Sequence, residues 1–154
     1  MADTSMGTST RLRRAMFARH SNPWSAWSRW ASTPLVLIPV WTRRRRDAAL
    51  VAGWLAVNPV LFPKPSNQRA WATRAVLGEE QWILDRPRDA SMVLSAATSA
   101  IAVVALIAAR RRRLRTAAIA TAVQMTLTLV YWHLMARSFD RRNPYMDPSP
   151  QMPH

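Results

Sequence analysis

Residues 90–136 read ASMVLSAATSAIAVVALIAA, then RRRRLR, then TAAIATAVQMTLTLVYWHLMA, and the reading of this stretch decides the fold. Ala90–Ala109 is twenty residues without a charge, and Thr116–Ala136 is twenty-one in which only His133 could carry a positive one. At ~1.5 Å rise per residue each run makes about 30 Å of helix, the thickness of a bilayer's hydrocarbon core. The basic knot Arg110–Arg115 between them reads as a tight, polar turn. A transmembrane hairpin is the expectation, and the fold class that follows is an all-α, integral membrane helical bundle.

Working outward, the charge balance must be placed before it can be interpreted. The chain of 154 residues has a formal net charge of +14, and of its 22 Lys and Arg residues only Lys64 is not an arginine. Nine of the arginines lie in two knots, Arg43–Arg46 and Arg110–Arg115, each wedged between apolar segments. A nucleic-acid binder spreads cations and aromatics over one folded face and has no use for long uncharged spans. Nucleic acid is therefore not an expected partner. Membrane lipids are, with anionic headgroups drawn to the two knots. The mean hydropathy of −0.13 averages polar tails with apolar runs and does not argue against a membrane. There is no cysteine, which excludes disulfides and thiolate chemistry, and the three His residues lie far apart. No metal site and no cofactor is expected.

The N-terminal residues 1–15 read as a disordered basic tail, since the patch Arg11–Arg14 is not followed by the apolar core of a signal peptide. Residues 16–142 form one helical membrane domain, and 143–154 a disordered Pro-rich tail. Within the domain, Asn22-Pro23 is a helix-start signature for an interfacial helix over 23–31. Trp24, Trp27 and Trp30 share one face of it, with Ser25, Ser28 and Arg29 on the other, as at a membrane–water boundary. Two short, Pro-bent spans follow at about 32–45 and 47–62, the second capped by Asp47 and closing at Asn58-Pro59. Each falls short of the ~20 residues needed to cross unaided, so snorkelling and local thinning must help. A second interfacial helix is expected at 67–85, capped by Ser66 or Asn67 and carrying Trp71, Ala75 and Trp82 along one side. The long spans complete the set at about 90–109 and 116–136. Four crossings put both arginine knots on one side of the membrane, with the termini and the 64–89 segment on the other. Which side is cytoplasmic stays open.

The long spans also carry a packing pattern. Ser91, Ser95 and Ser99 repeat at every fourth residue, and Thr121, Gln124 and Thr128 form a matching polar stripe. Small residues at that spacing let helices approach closely in lipid. Gln124 falls near mid-membrane, where an unpaired amide is costly, so it is expected to face the serines or a partner protein.

Three blocks, HSNPWSAWSRW from His20, NPVLFPKPSN from Asn58 and WATRAVLGEEQW from Trp71, resemble the signature blocks of an uncharacterised family. That family comprises small prokaryotic multi-pass membrane proteins and is described as a domain of unknown function. The W-x-x-[KR]-x-V-L-G-E pattern over Trp71–Glu79 is the most specific of the three. In the family a basic residue often follows the Asn-Pro of the second block; Val60 stands there, which argues against an anion site at that position. The resemblance implies a membrane protein and no particular activity.

All three blocks fall at one membrane face in the four-span reading. Asn22, Trp24, Arg29, Asn58, Trp71, Arg74, Glu79 and Trp82 are the candidate binding residues there. The polar candidates, with His20, each have an ordinary alternative: caps for Asn22 and Asn58, interfacial solvation for His20 and Arg29, an ion pair or helix charge for Arg74 and Glu79; for the tryptophans it is an aromatic belt. The leading functional expectation is a non-enzymatic integral protein of the cell membrane, an accessory subunit or a lipid- or partner-binding component. The alternatives are a small membrane-embedded enzyme acting on lipid, with His20 and Glu79 as acid and base, and an oligomeric transporter. A membrane protein partner or a second copy of the chain is compatible with all three.

Overall fold

The computed structural model describes residues 22–63, 65, 69–85 and 89–144. The expectations for both tails, for His20 and for Ser66 and Asn67 as caps lie outside the described residues. Among those described, every regular element is helical. The order is α1 (Pro23–Ala31), a 3₁₀ turn (Thr33–Val36), α2 (Leu37–Thr42), α3 (Arg45–Leu61), α4 (Trp71–Asp85), α5 (Ala90–Arg110) and α6 (Leu114–Arg142). The all-α class holds.

The two long apolar runs become α5 and α6, the two helices long and apolar enough to cross a membrane. They pack as an antiparallel pair, and the buried residues near the turn are alanines: Ala108 and Ala109 against Ala117, with Ala105 and Ala120 also buried. The knot between them is a Schellman turn. Arg112 takes the left-handed conformation at φ 58° and donates to the Ala109 carbonyl at 3.1 Å, while Arg113 donates to Ala108 at 2.9 Å. These bonds satisfy carbonyls that the end of α5 would leave orphaned. At its other end α5 is capped by Asp89, whose Oδ1 accepts from the Ser91 and Met92 amides.

The region of the first two expected spans differs from the four-span expectation. Residues 32–45 do not form one span. Pro34 starts a 3₁₀ turn and Pro39 has no N–H to offer the Leu35 carbonyl, so the α-helical run restarts at Leu37 and lasts six residues. Arg43, left-handed at φ 59°, ends it. α3 then runs seventeen residues from Arg45, through Asn58-Pro59, to Leu61. Asp47 is in its first turn but is not the cap; the cap position is Arg44, and Asp47 accepts a hydrogen bond from the Thr42 hydroxyl. α2 packs on α5 and α6 through Leu37, Val40 and Trp41 beside Ala108, Ala109 and Ala117.

At the opposite end α4 lies against the second half of α6. Gly78 is the point of closest approach: a Cβ there would fall 2.1 Å from the Met135 carbonyl oxygen. Ala75 packs with Tyr131, Met135 and Ala136, and the Arg74–Asp140 and Arg142–Asp85 ion pairs bind the outer edges. These pairs explain why α6 continues to Arg142, past the end of its apolar run at Ala136. The molecule thus has two chemically distinct ends. One carries both arginine knots, joined where Arg43 Nη2 donates to the Arg110 carbonyl at 3.3 Å. The other carries α1, the end of α3, and α4.

Candidate functional site

The residues of the three blocks meet at this second end. Asn22 caps α1, its Oδ1 accepting from the Trp24 amide at 2.9 Å, while its Nδ2 donates to the Pro63 carbonyl at 2.8 Å. Asn58 is fully buried and is not a cap. Its Oδ1 accepts from the Ser25 hydroxyl at 3.0 Å and its Nδ2 donates to Ser28 Oγ at 2.7 Å. The serine face of α1 therefore turns inward, onto α3, where a polar group must find a partner. The expectation of a polar face turned to solvent is corrected on this point. Trp54 reinforces the joint by donating to Ser32 Oγ at 3.0 Å.

The tryptophans also point mostly inward. Trp27 stacks on Trp71 at 5.8 Å and meets Trp30 and Trp132 edge-on at 5.7 and 5.9 Å. Such pairs contribute ~0.5–1.5 kcal/mol each beyond area burial, so this cluster fastens α1 and α4 to α6. Trp30 adds a hydrogen bond from its indole to the Met125 carbonyl, 3.1 Å. Trp82 packs edge-on against Tyr131 and donates to Asp89. Trp24, at 72% exposure, faces outward from α1, and Trp27 keeps 38% of its surface exposed.

Between α1, α4 and α6 lies an open cleft of about 340 Å³. Its polar lining is Arg29 and Thr33 from the first block and its sequel, Glu79 from the third, and Gln124 and Thr128 from α6; Trp30, Val76 and Trp132 supply the apolar walls. The Tyr131 hydroxyl donates to Glu79 Oε1 at 3.3 Å. Burial raises the Glu79 carboxyl above the ordinary glutamate range, and the Tyr131 hydrogen bond and the Arg29 charge pull in the other direction. Burial likewise lowers the Arg29 guanidinium, opposed by Glu79. A half-buried cation and a carboxyl lining one cleft can bind a ligand bearing both signs of charge, or take part in proton exchange with one.

The remaining candidates are placed elsewhere. Arg74 pairs with Asp140 on the surface. Thr121 is buried and bonds back to the Ala117 carbonyl. Ser91 is buried and Ser95 half-buried, but Ser99 is exposed, its hydroxyl bonded to the Ser95 carbonyl. Gln124 lines the cleft with Glu79. Tyr131 and Thr33 join the site unmarked by the sequence, because only the packing of α4 across α6 brings Tyr131 to Glu79.

The architecture defines a class: a small helical protein built on a pair of membrane-length apolar helices, with a polar cleft at one end and arginine turns at the other. The chain belongs to DUF6653, a family of unknown function whose model matches residues 1–144. No curated protein and no solved structure matches it.

Proposed function

We propose that this is an integral protein of the cell membrane with four crossings, a non-enzymatic component that binds an amine-bearing phospholipid headgroup in the Arg29–Glu79 cleft. The membrane reading is supported by where the apolar surface lies. Only 17% and 22% of the apolar windows of α5 and α6 are buried inside the fold, unlike the core helices of a water-soluble protein. α3 adds Leu50, Leu55, Val57 and Leu61, all exposed. Apolar surface of this extent needs lipid or protein cover. In this reading α1, the 3₁₀ turn and α2 together (residues 23–42) make the first crossing and α3 the second, and α4 rests at the far interface.

One observation carries the ligand: Arg29 and Glu79 line the same cleft, between Trp30 and Trp132. A phosphate meets the guanidinium, and an ammonium donates to the carboxylate. The test compares phosphatidylethanolamine with phosphatidylcholine of identical chains, whose quaternary amine has no N–H to donate. Tryptophan emission of the protein in nanodiscs should respond to the first lipid and not the second, and Glu79→Gln should erase the difference. Equal responses in the unaltered protein would overturn the headgroup assignment. The topology is tested by a membrane-impermeant maleimide on single cysteines placed at Arg45, Arg111 and Ser66. The first two should label from one side and the third from the other. Labelling of Arg45→Cys and Ser66→Cys from the same side refutes four crossings.

A further inference from the structure

A second cavity, of about 590 Å³, runs between α2 and α6 on the arginine side of the molecule. Leu37, Ile38 and Trp41 form one wall and Ala117, Ala118 and Ala122 much of the other, so it is almost wholly apolar. On α6 it extends from Leu114 to Met125. The eleven helical steps between them, at ~1.5 Å each, span about 16 Å, close to half of a ~30 Å hydrocarbon core. The groove is therefore one leaflet deep. Its inner limit is Met125, whose carbonyl is held by the Trp30 indole.

The outer end opens among the knots. Thr42 and Leu114 line it there, the one directly before Arg43 and the other between Arg113 and Arg115. Arg112 lies over the Trp41 ring at 5.5 Å. Among the described residues none of the nine knot arginines is in an ion pair, and the Arg74–Asp140 and Arg142–Asp85 pairs are at the other end. Asp47 is the only acid in or beside the knots, and the Thr42 hydroxyl donates to it. An apolar slot one leaflet deep, ending in uncompensated cations, is complementary to one kind of molecule. We propose that it seats an acyl chain of an anionic glycerophospholipid, with the lipid phosphate held by arginines of the two turns. This rests on the membrane reading above.

The experiment uses the full-length protein in mild detergent with equal amounts of phosphatidylglycerol and phosphatidylcholine of matched chains, and counts retained lipids by native mass spectrometry. One phosphatidylglycerol should be retained in preference. Ala118→Trp fills the slot from an exposed position and should cut retention about tenfold. Arg43→Gln with Arg115→Gln should cost about as much, the size of one charge-assisted contact, and leave phosphatidylcholine unchanged. If Ala118→Trp does not yield folded protein, Ala122→Phe from the same wall replaces it. Equal retention of the two lipids, or retention insensitive to the groove-filling change, overturns the proposal. Carbonate extraction of the expressing membranes separates the two levels. Protein released as soluble sinks the membrane reading and this inference with it, whereas protein that stays with the membrane but does not prefer phosphatidylglycerol sinks this inference alone.

Discussion

Among the described residues two glycines sit in helix interiors, and alanine should act on them with opposite signs. At an unhindered helical site Gly→Ala stabilises by about 1 kcal/mol, because alanine has less backbone freedom to lose. Gly53, in α3, has nothing within 4 Å of the place a Cβ would occupy, so Gly53→Ala should gain about that amount. Gly78→Ala puts its methyl 2.1 Å from the Met135 carbonyl oxygen and 2.8 Å from the carbonyl carbon. Both obstacles are backbone of another helix, which no rotamer change can move. Carbon contacts are comfortable near ~3.5 Å, so α4 must retreat by about 1 Å or more. Overpacking of this kind costs ~1–3 kcal/mol, which offsets the propensity gain and leaves a net loss of up to about 2 kcal/mol. For a chain of this size that is a fall of up to about 4–8 °C in the unfolding midpoint. The assay is thermal unfolding in one detergent, followed by circular dichroism and by tryptophan emission, since Trp71 and Trp132 straddle the contact. A Gly78→Ala protein as stable as Gly53→Ala would refute the α4–α6 packing on which the whole second end depends.

Other contacts give sharper single tests. Asn58→Leu leaves the buried Ser25 hydroxyl without its partner and should lower stability by ~1–3 kcal/mol in the same melt, whereas a surface residue would tolerate the change. Arg112 should be more stable as Gly than as Ala by about 1 kcal/mol, because both lose the Trp41 contact but only Ala keeps the left-handed strain; chemical denaturation of the two variants measures the difference. Glu79 supplies a pH dependence of known sign. Its folded-state value is raised by burial, so its contribution is fully present below the unfolded glutamate value and is lost as pH rises through the folded one. The stability of the unaltered protein relative to Glu79→Gln should therefore decline with rising pH over that window, and a difference that grows with pH would contradict the burial.

What could be read from the sequence depended on whether a residue's role is local. The α1 boundaries follow from Asn22-Pro23, a cap and a first-turn proline, and need no tertiary information. The uncharged runs announce α5 and α6 in the same way. The break at Leu37 was harder, since Pro34 and Pro39 mark a disturbance but not where α-helix resumes. Asp89, directly before an apolar run, was a cap that the general rule could have identified. The surroundings of the tryptophans were only partly legible, for a physical reason. An amphipathic helix tells which face is apolar, not whether lipid or another tryptophan covers it, and Trp27, still 38% exposed, packs against Trp30, Trp71 and Trp132. The cleft was the least legible feature. Arg29, Glu79 and Gln124 are separated by some fifty residues each, and only the crossing of α4 over α6 brings them to one wall.

The distribution of satisfied and unsatisfied polar groups gives the two ends different work. At the end built from the three blocks, Asn22, Ser25, Ser28, Ser32, Asn58 and Trp54 bond to one another or to backbone, and Arg74 and Arg142 have carboxylate partners. Such interlocking fixes geometry, as a selective cleft requires. At the other end the nine knot arginines have Asp47 alone beside them and no ion pair among the described residues, on two turns that hold left-handed arginines where glycine would be less strained. Strain and self-repulsion of that kind are unfavourable unless anions offset them, and a membrane surface provides anions continuously. Arginine in place of glycine at position 112 costs backbone energy but puts a guanidinium over Trp41, at the mouth of the groove. If the knots only marked topology, any arginine position in the turn would serve and Arg112→Gly would leave lipid retention unchanged. If they hold a headgroup, the same substitution should stabilise the turn while weakening retention of phosphatidylglycerol, and the two effects can be measured on one sample.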